Sequence, residues 1–146
     1  MAGKGSTMAY QFLRLMLNAQ DRVGAWGSSG ATGLYCRLHT ADPSTGTGTL
    51  NECTYTGYAP VLTTRTSATG GWSVTTPTSA NASASPVSAI TFGQMTAGST
   101  QTATHFSLTT STAADLIWYS GTISPNINIS VNVTPILTTA SSITED

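Results

Sequence analysis

The chain has 146 residues, with five basic and six acidic side chains and a net charge of −1. Average domains are about one-quarter charged. So few charges exclude binding to a phosphate backbone through clustered Lys and Arg, and leave little colloidal repulsion. At this length the expectation is a single domain over residues 1–146, able to bury roughly 68–70% of its unfolded surface without a metal or disulfide.

Thr and Ser together make up nearly a third of the residues, so the surface is wetted by hydroxyls rather than ions. Threonine favours a pleated surface, which argues for β structure. Lys4 is the only lysine. Exposed strand edges are commonly blunted by charge, Lys above all. This chain must cover its edges with its own loops or with a partner.

Residues 1–5 read as a flexible terminus, followed by a helix from about Met8 to Ala19 capped by Ser6 or Thr7. Ala9, Phe12, Leu13, Met16 and Leu17 share one face of it. That face packs on the chain's own strands or docks as an arm on a neighbouring subunit. The segment is short, and Arg14 interrupts it, so it is neither a signal peptide nor a membrane span. The chain is expected to be soluble until it assembles. With the Gly-rich connection around Trp26, residues 1–30 read as an N-terminal arm and linker, 31–137 as the β region and 138–146 as a tail tethered by Ile143.

The first strand is Leu34–Thr40, with Leu34, Cys36 and Leu38 on an apolar face and Tyr35, Arg37 and His39 on a polar one. Ala41-Asp42-Pro43 stops it. The Thr/Gly/Ser loop Asp42–Asn51 reads as an exposed excursion. Pro60–Ser67 and Trp72–Thr76 read as a hairpin about Ala68-Thr69-Gly70-Gly71. Pro77–Ser88, a low-complexity Ser/Ala/Thr run, reads as a long surface loop. Ile90–Phe92 and Thr104–Thr110 are strands. Asp115–Ser124 is apolar on both sides, as in a central strand. Ile127, Ile129, Val131 and Val133 alternate with Asn126, Asn128, Ser130 and Asn132 in a last strand ending at Pro135. Short strands with irregular loops indicate an all-β, antiparallel β-sandwich with one N-terminal helix.

A strand ending Leu38-His39-Thr40-Ala41-Asp42-Pro43, a Thr/Gly loop, Glu52 and then Gly57-Tyr58-Ala59 resembles a widespread family of small bacteriophage virion proteins. The likeness continues through Ala89–Phe92, Ala103–Phe106 and Leu116–Gly121, and so covers nearly the whole chain. Many members are labelled tail-fibre proteins. Members or close structural analogues act as capsid cement (decoration) proteins with jelly-roll-like sandwiches. The family usually has a basic residue after Gly-Tyr-Ala; this chain has Pro60, so a contact made there by relatives does not carry over.

Chemistry-bearing constellations are sparse. His39 and Asp42 could give two metal ligands, but His105 is the only other histidine, and the simpler reading is a strand His and a turn Asp. There is no Gly-x-Ser-x-Gly elbow and no CxxC. Cys36 reads as a buried core residue, and a bridge to Cys53 stays open. No cofactor, metal or catalytic residue is assigned.

The resemblance implies a structural virion protein that is not an enzyme. It would be made in the bacterial cytoplasm and sit on the outer capsid surface, clamping neighbouring major capsid subunits as a homo-oligomer at symmetry axes, without nucleic acid or membrane partners. Phe12, Leu13 and Met16 on the helix and Asp42, Pro43 and Asn51 on the loop are the expected contact residues. The alternative is a tail- or baseplate-associated, receptor-binding protein. A third reading is an enzyme or carbohydrate-binding module on the same fold.

Overall fold

The computed structural model describes residues 6–18, 33–43, 47–75, 82–113 and 117–145. Among the described residues one helix, α1 (Ser6–Asn18), precedes nine strands: β1 (Gly33–His39), β2 (Val61–Thr64), β3 (Trp72–Thr75), β4 (Ala82–Pro86), β5 (Ile90–Thr91), β6 (Gln101–Thr109), β7 (Ile117–Ile129), β8 (Ile136–Leu137) and β9 (Ile143–Glu145). The strands form a four-stranded sheet β2-β1-β6-β7, a three-stranded sheet β3-β4-β9 and a two-stranded sheet β5-β8. All the resolved registers are antiparallel. The antiparallel all-β architecture and the single short helix are therefore as the sequence indicates. No described helix is long and apolar enough to cross a membrane.

The chain divides into two compact units. The first contains α1, Thr64–Ala89 and β9. Leu13 and Leu17, one turn apart, are fully buried, and the helix packs on β3, β4 and β9. Its last carbonyls would otherwise lack partners. Arg65 supplies them: Nε donates to the Met16 carbonyl at 2.7 Å, and the terminal guanidinium nitrogen donates to Leu15 at 2.6 Å. A cation there also meets the negative end of the helix dipole. The amide of Asn18 donates to the Trp72 carbonyl at 2.7 Å, and Trp72 is itself buried.

The second unit contains Gly33–Thr63 and Ile90–Leu137. On one face of its large sheet Leu34, Cys36 and Leu38 of β1 meet Phe106 and Leu108 of β6, all buried. Tyr55, Phe92 and Met95 are buried too, with Tyr58 in edge contact with Tyr55 (centroids 5.3 Å apart) and stacked on Phe92 (6.2 Å).

The structure departs from the sequence pattern at several strands. Gly70, at φ 82°, does turn the chain, and Gly71 N–H donates to Ala68. The two arms nonetheless part: β2 joins β1, while β3 pairs with β4. Part of the expected Pro77–Ser88 loop is β4, the central strand of its sheet, with Ala82, Ala84 and Pro86 buried and Ser83 and Ser85 facing the other way. Residues 76–81 lie outside the described part, as does the linker around Trp26. The two expected strands at 115–124 and 126–133 are one strand, β7, which passes through a cis Ser124–Pro125 bond. It lies at the edge of its sheet, not in the centre, and Trp118 is 38% exposed. The Ile/Val alternation ends at Ile129, because Asn132 adopts φ 70° in a turn closed by Val133 N–H to the Ser130 carbonyl; Val131 is exposed. The tail includes β9, and Ile143 is buried against β4.

Candidate functional site

Alternation along β1 sends Arg37 and His39 to the face opposite Leu34, Cys36 and Leu38. The sequence places that face towards solvent. In the structure both side chains are buried, because the second half of the Asp42–Asn51 loop folds back over them. Asn51–Cys53 runs along β1 as a makeshift strand. Thr40 N–H donates to Asn51, Cys53 N–H donates to Leu38, and His39 bridges Glu52. Asn51 takes φ 54°, a left-handed conformation that asparagine tolerates, to make the turn.

Arg37 is 1% exposed, and all three of its guanidinium nitrogens donate. Nε donates to Thr109 Oγ1 at 3.1 Å. One terminal nitrogen donates to both oxygens of Glu52 at 2.8 Å. The other donates to the carbonyls of Ser111 and Ala113 at 2.9 Å. Glu52 in turn accepts the Tyr58 hydroxyl at 2.9 Å, and that hydroxyl accepts Leu38 N–H at 3.0 Å. Burial is the main reason Tyr58 holds its proton far above the ordinary phenol range. Gly57, at φ 102°, delivers Tyr58 to this position, so the Gly57-Tyr58 step has a local physical reason. Gly48 fits against the cluster from the loop side: a Cβ there would lie 2.7 Å from Thr109 Cγ2 and 2.9 Å from Arg37 Nε.

His39 is wholly buried beside this pair. Its Nδ1 donates to the Leu50 carbonyl at 2.8 Å, and its Nε2 accepts from Ser107 Oγ at 2.7 Å. The carbonyl can only accept, which fixes the neutral tautomer. Burial lowers its pKa; the Leu50 carbonyl and Glu52 pull the other way, while Arg37 and His105 reinforce burial. Both ring nitrogens are thus committed within the protein. Among the described residues no group of three or more His, Cys, Asp or Glu side chains is placed to hold a metal. Cys36 and Cys53 are buried free thiols, with pKa pushed up by burial to about 12 and about 11.

The expected contact residues divide in two. On the helix, Leu13 is buried, Met16 is half-buried and Phe12 is 38% exposed. On the loop, Pro43 is buried, while Asp42 and Asn51 are exposed and joined by Asn51 Nδ2 donating to the Asp42 carbonyl at 3.2 Å. Leu50, 42% exposed, stands beside Asn51 at the crest and escaped sequence reasoning. So did the Arg37–Glu52 pair. Its signal was present: in a chain with five cations, an arginine at the middle of a strand needs an anion, and Glu52 follows fifteen residues later.

The arrangement holds a loop in one shape; it does not present a reactive group. The sequence comparison is in keeping with this. The family of the podophage GP4 fiber I protein gp80 matches residues 13–143. The chain belongs to that family. It is therefore a phage structural protein associated with the virion. The family carries a fibre name, closer to the tail-associated alternative than to capsid cementing. No curated protein matches the chain.

Proposed function

We propose that this protein is a fibre- or tail-associated structural component of the phage particle. It works by contact rather than catalysis and meets its neighbours through the Asp42–Asn51 loop. The family match over residues 13–143, with its fibre name, is the observation that carries this reading. The buried Arg37–Glu52 pair supports the choice of loop. Buried ion pairs are weak contributors to net stability, and their best-attested use is to specify one conformation. Here that conformation is the one displaying Leu50, Asn51 and Asp42. The Ser107–His39 pair gives no support to catalysis, since both residues are fully buried and no substrate could reach them.

The capsid-cement form of the reading, with the major capsid protein and further copies of this chain as partners and a jelly-roll connectivity, rests on the strand-and-loop resemblance alone. Locating the protein in intact virions tests both. Antibody label or density on the tail is the expected result. Density on the outer capsid surface at symmetry axes would overturn it in favour of cementing. Loss of incorporation on substituting Leu50 and Asn51, with the fold intact, would identify the loop as the contact.

A further inference from the structure

We propose that the Thr47–Cys53 segment is a pH-sensitive latch, loosened from β1 and β6 when His39 takes up a proton. This deepens the contact reading, since the segment displays Leu50 and Asn51. His39 Nδ1 already carries its proton, towards the Leu50 carbonyl. An added proton must go to Nε2, which now accepts the Ser107 hydroxyl at 2.7 Å. Ser107, itself fully buried, would have to turn its hydrogen away and accept instead.

The new charge would also be badly placed. Arg37 lies two residues away on the same face of β1, and His105 is its cross-strand partner on β6. From the loop, Glu52 is the one anion among the described residues that acts on it, and Glu52 is already held by Arg37 and by the neutral Tyr58 hydroxyl. Lifting the segment removes the Leu50 carbonyl and admits water to the ring. The open form therefore binds the proton more readily than the closed one. Because the closed-form pKa is the lower, closure is fully favoured above the ordinary histidine pKa and weakens as pH falls below it.

The test is amide hydrogen exchange on the full chain from pH 7.5 to 5, corrected for intrinsic rates. The reporters are Thr40 and Cys53, whose N–H groups bond to Asn51 and Leu38 across the latch. Their protection should fall by about tenfold per pH unit below about pH 6.5, the slope of one proton, and then flatten. The amides of Phe92 and Met95, bonded to Pro135 and Val133 away from the latch, should not follow. His39→Asn keeps a donor near Nδ1 and cannot titrate, so its profile should be flat. Ser107→Ala removes the hydroxyl whose donated hydrogen favours the neutral ring in the closed form, so the onset should stay where the open form sets it while the fall flattens at higher pH and is smaller in total; it keeps the idea testable if His39→Asn does not fold. A flat wild-type profile, an unchanged slope in His39→Asn or an unchanged flattening point and total loss in Ser107→Ala would each overturn the latch. None of these bears on where the protein sits in the virion, so the two readings fail separately.

Discussion

Replacing Glu52 with Gln isolates the charge from the shape of the buried pair. The glutamine is nearly isosteric and keeps one oxygen for Arg37, but it leaves a guanidinium that is 1% exposed without an anion. Removing one partner of a buried pair costs about 3–5 kcal/mol. Glu52 retains 12% exposure and the substitution keeps one acceptor, which places the expectation near the lower end, about 3 kcal/mol. For a chain of this length that is a fall in Tm of roughly 10 °C. Urea denaturation at neutral pH is the assay, because the midpoint moves at constant slope if only stability changes. The loss should persist at high salt, as a pair this buried is poorly screened. Pairing Arg37→Met with Glu52→Leu should be less damaging than the two singles summed, by about 1–3 kcal/mol of coupling. It should not be harmless, since the Ser111 and Ala113 carbonyls lose their donor. A Glu52→Gln protein within about 0.5 kcal/mol of wild type, where surface substitutions fall, would refute the reasoning.

Gly48→Ala should destabilise by about 1–3 kcal/mol, since its methyl must displace Thr109 or Arg37; an unchanged urea midpoint would mean the loop is not seated as described. Leu13→Ala, at a fully buried site under β3, β4 and β9, should cost about 2–5 kcal/mol by thermal melting, whereas Phe12→Ala should cost much less. Cys36 and Cys53 should resist a thiol reagent at pH 8 in the native protein, because buried thiols with pKa near 12 and 11 hold almost no thiolate; both should label in guanidinium. Rapid native labelling of either would contradict their burial.

The sequence was legible where alternation involved large side chains. Leu34, Cys36 and Leu38 announce β1, and Phe106 and Leu108 announce β6. It was opaque at β4, because Ala82 and Ala84 alternate with serines of nearly the same size. What marks it as a strand is tertiary: it pairs with both β3 and β9, and α1 packs upon it. His39 shows a different gap. Period-two patterning states which way a side chain points, not what will cover it, and the cover is a loop whose own composition reads as solvent. The candidate site was half visible for the same reason: Glu52 and Gly57-Tyr58 stood out as a motif, but that Arg37 and Tyr58 both donate to Glu52 could be known only once the loop had folded back.

The scarcity of lysine left open how this chain guards its sheet edges, and β7 gives part of the answer. It is thirteen residues long, sits at the end of the four-stranded sheet and carries no charged residue. Such a strand would ordinarily be a template for pairing with another chain. Its geometry works against that. Leu108 pairs with Tyr119, but Thr109 pairs with Ile117, so Trp118 is an extra residue bulged out of register. Further along, His105 pairs with Thr122 and Ala103 with Ile127, so Ile123 to Asn126, with Pro125 among them, face Thr104 alone. Regular register is confined to two short runs, Tyr119–Thr122 and Ile127–Ile129. Bulges bend and twist an edge away from a would-be partner, and proline removes a donor. The edge is blunted by shape where other proteins use charge. A protein that works by contact, as proposed, would gain from that choice, because its contacts would then be left to surfaces that can be specific, such as a loop fixed from beneath by Arg37 and Glu52.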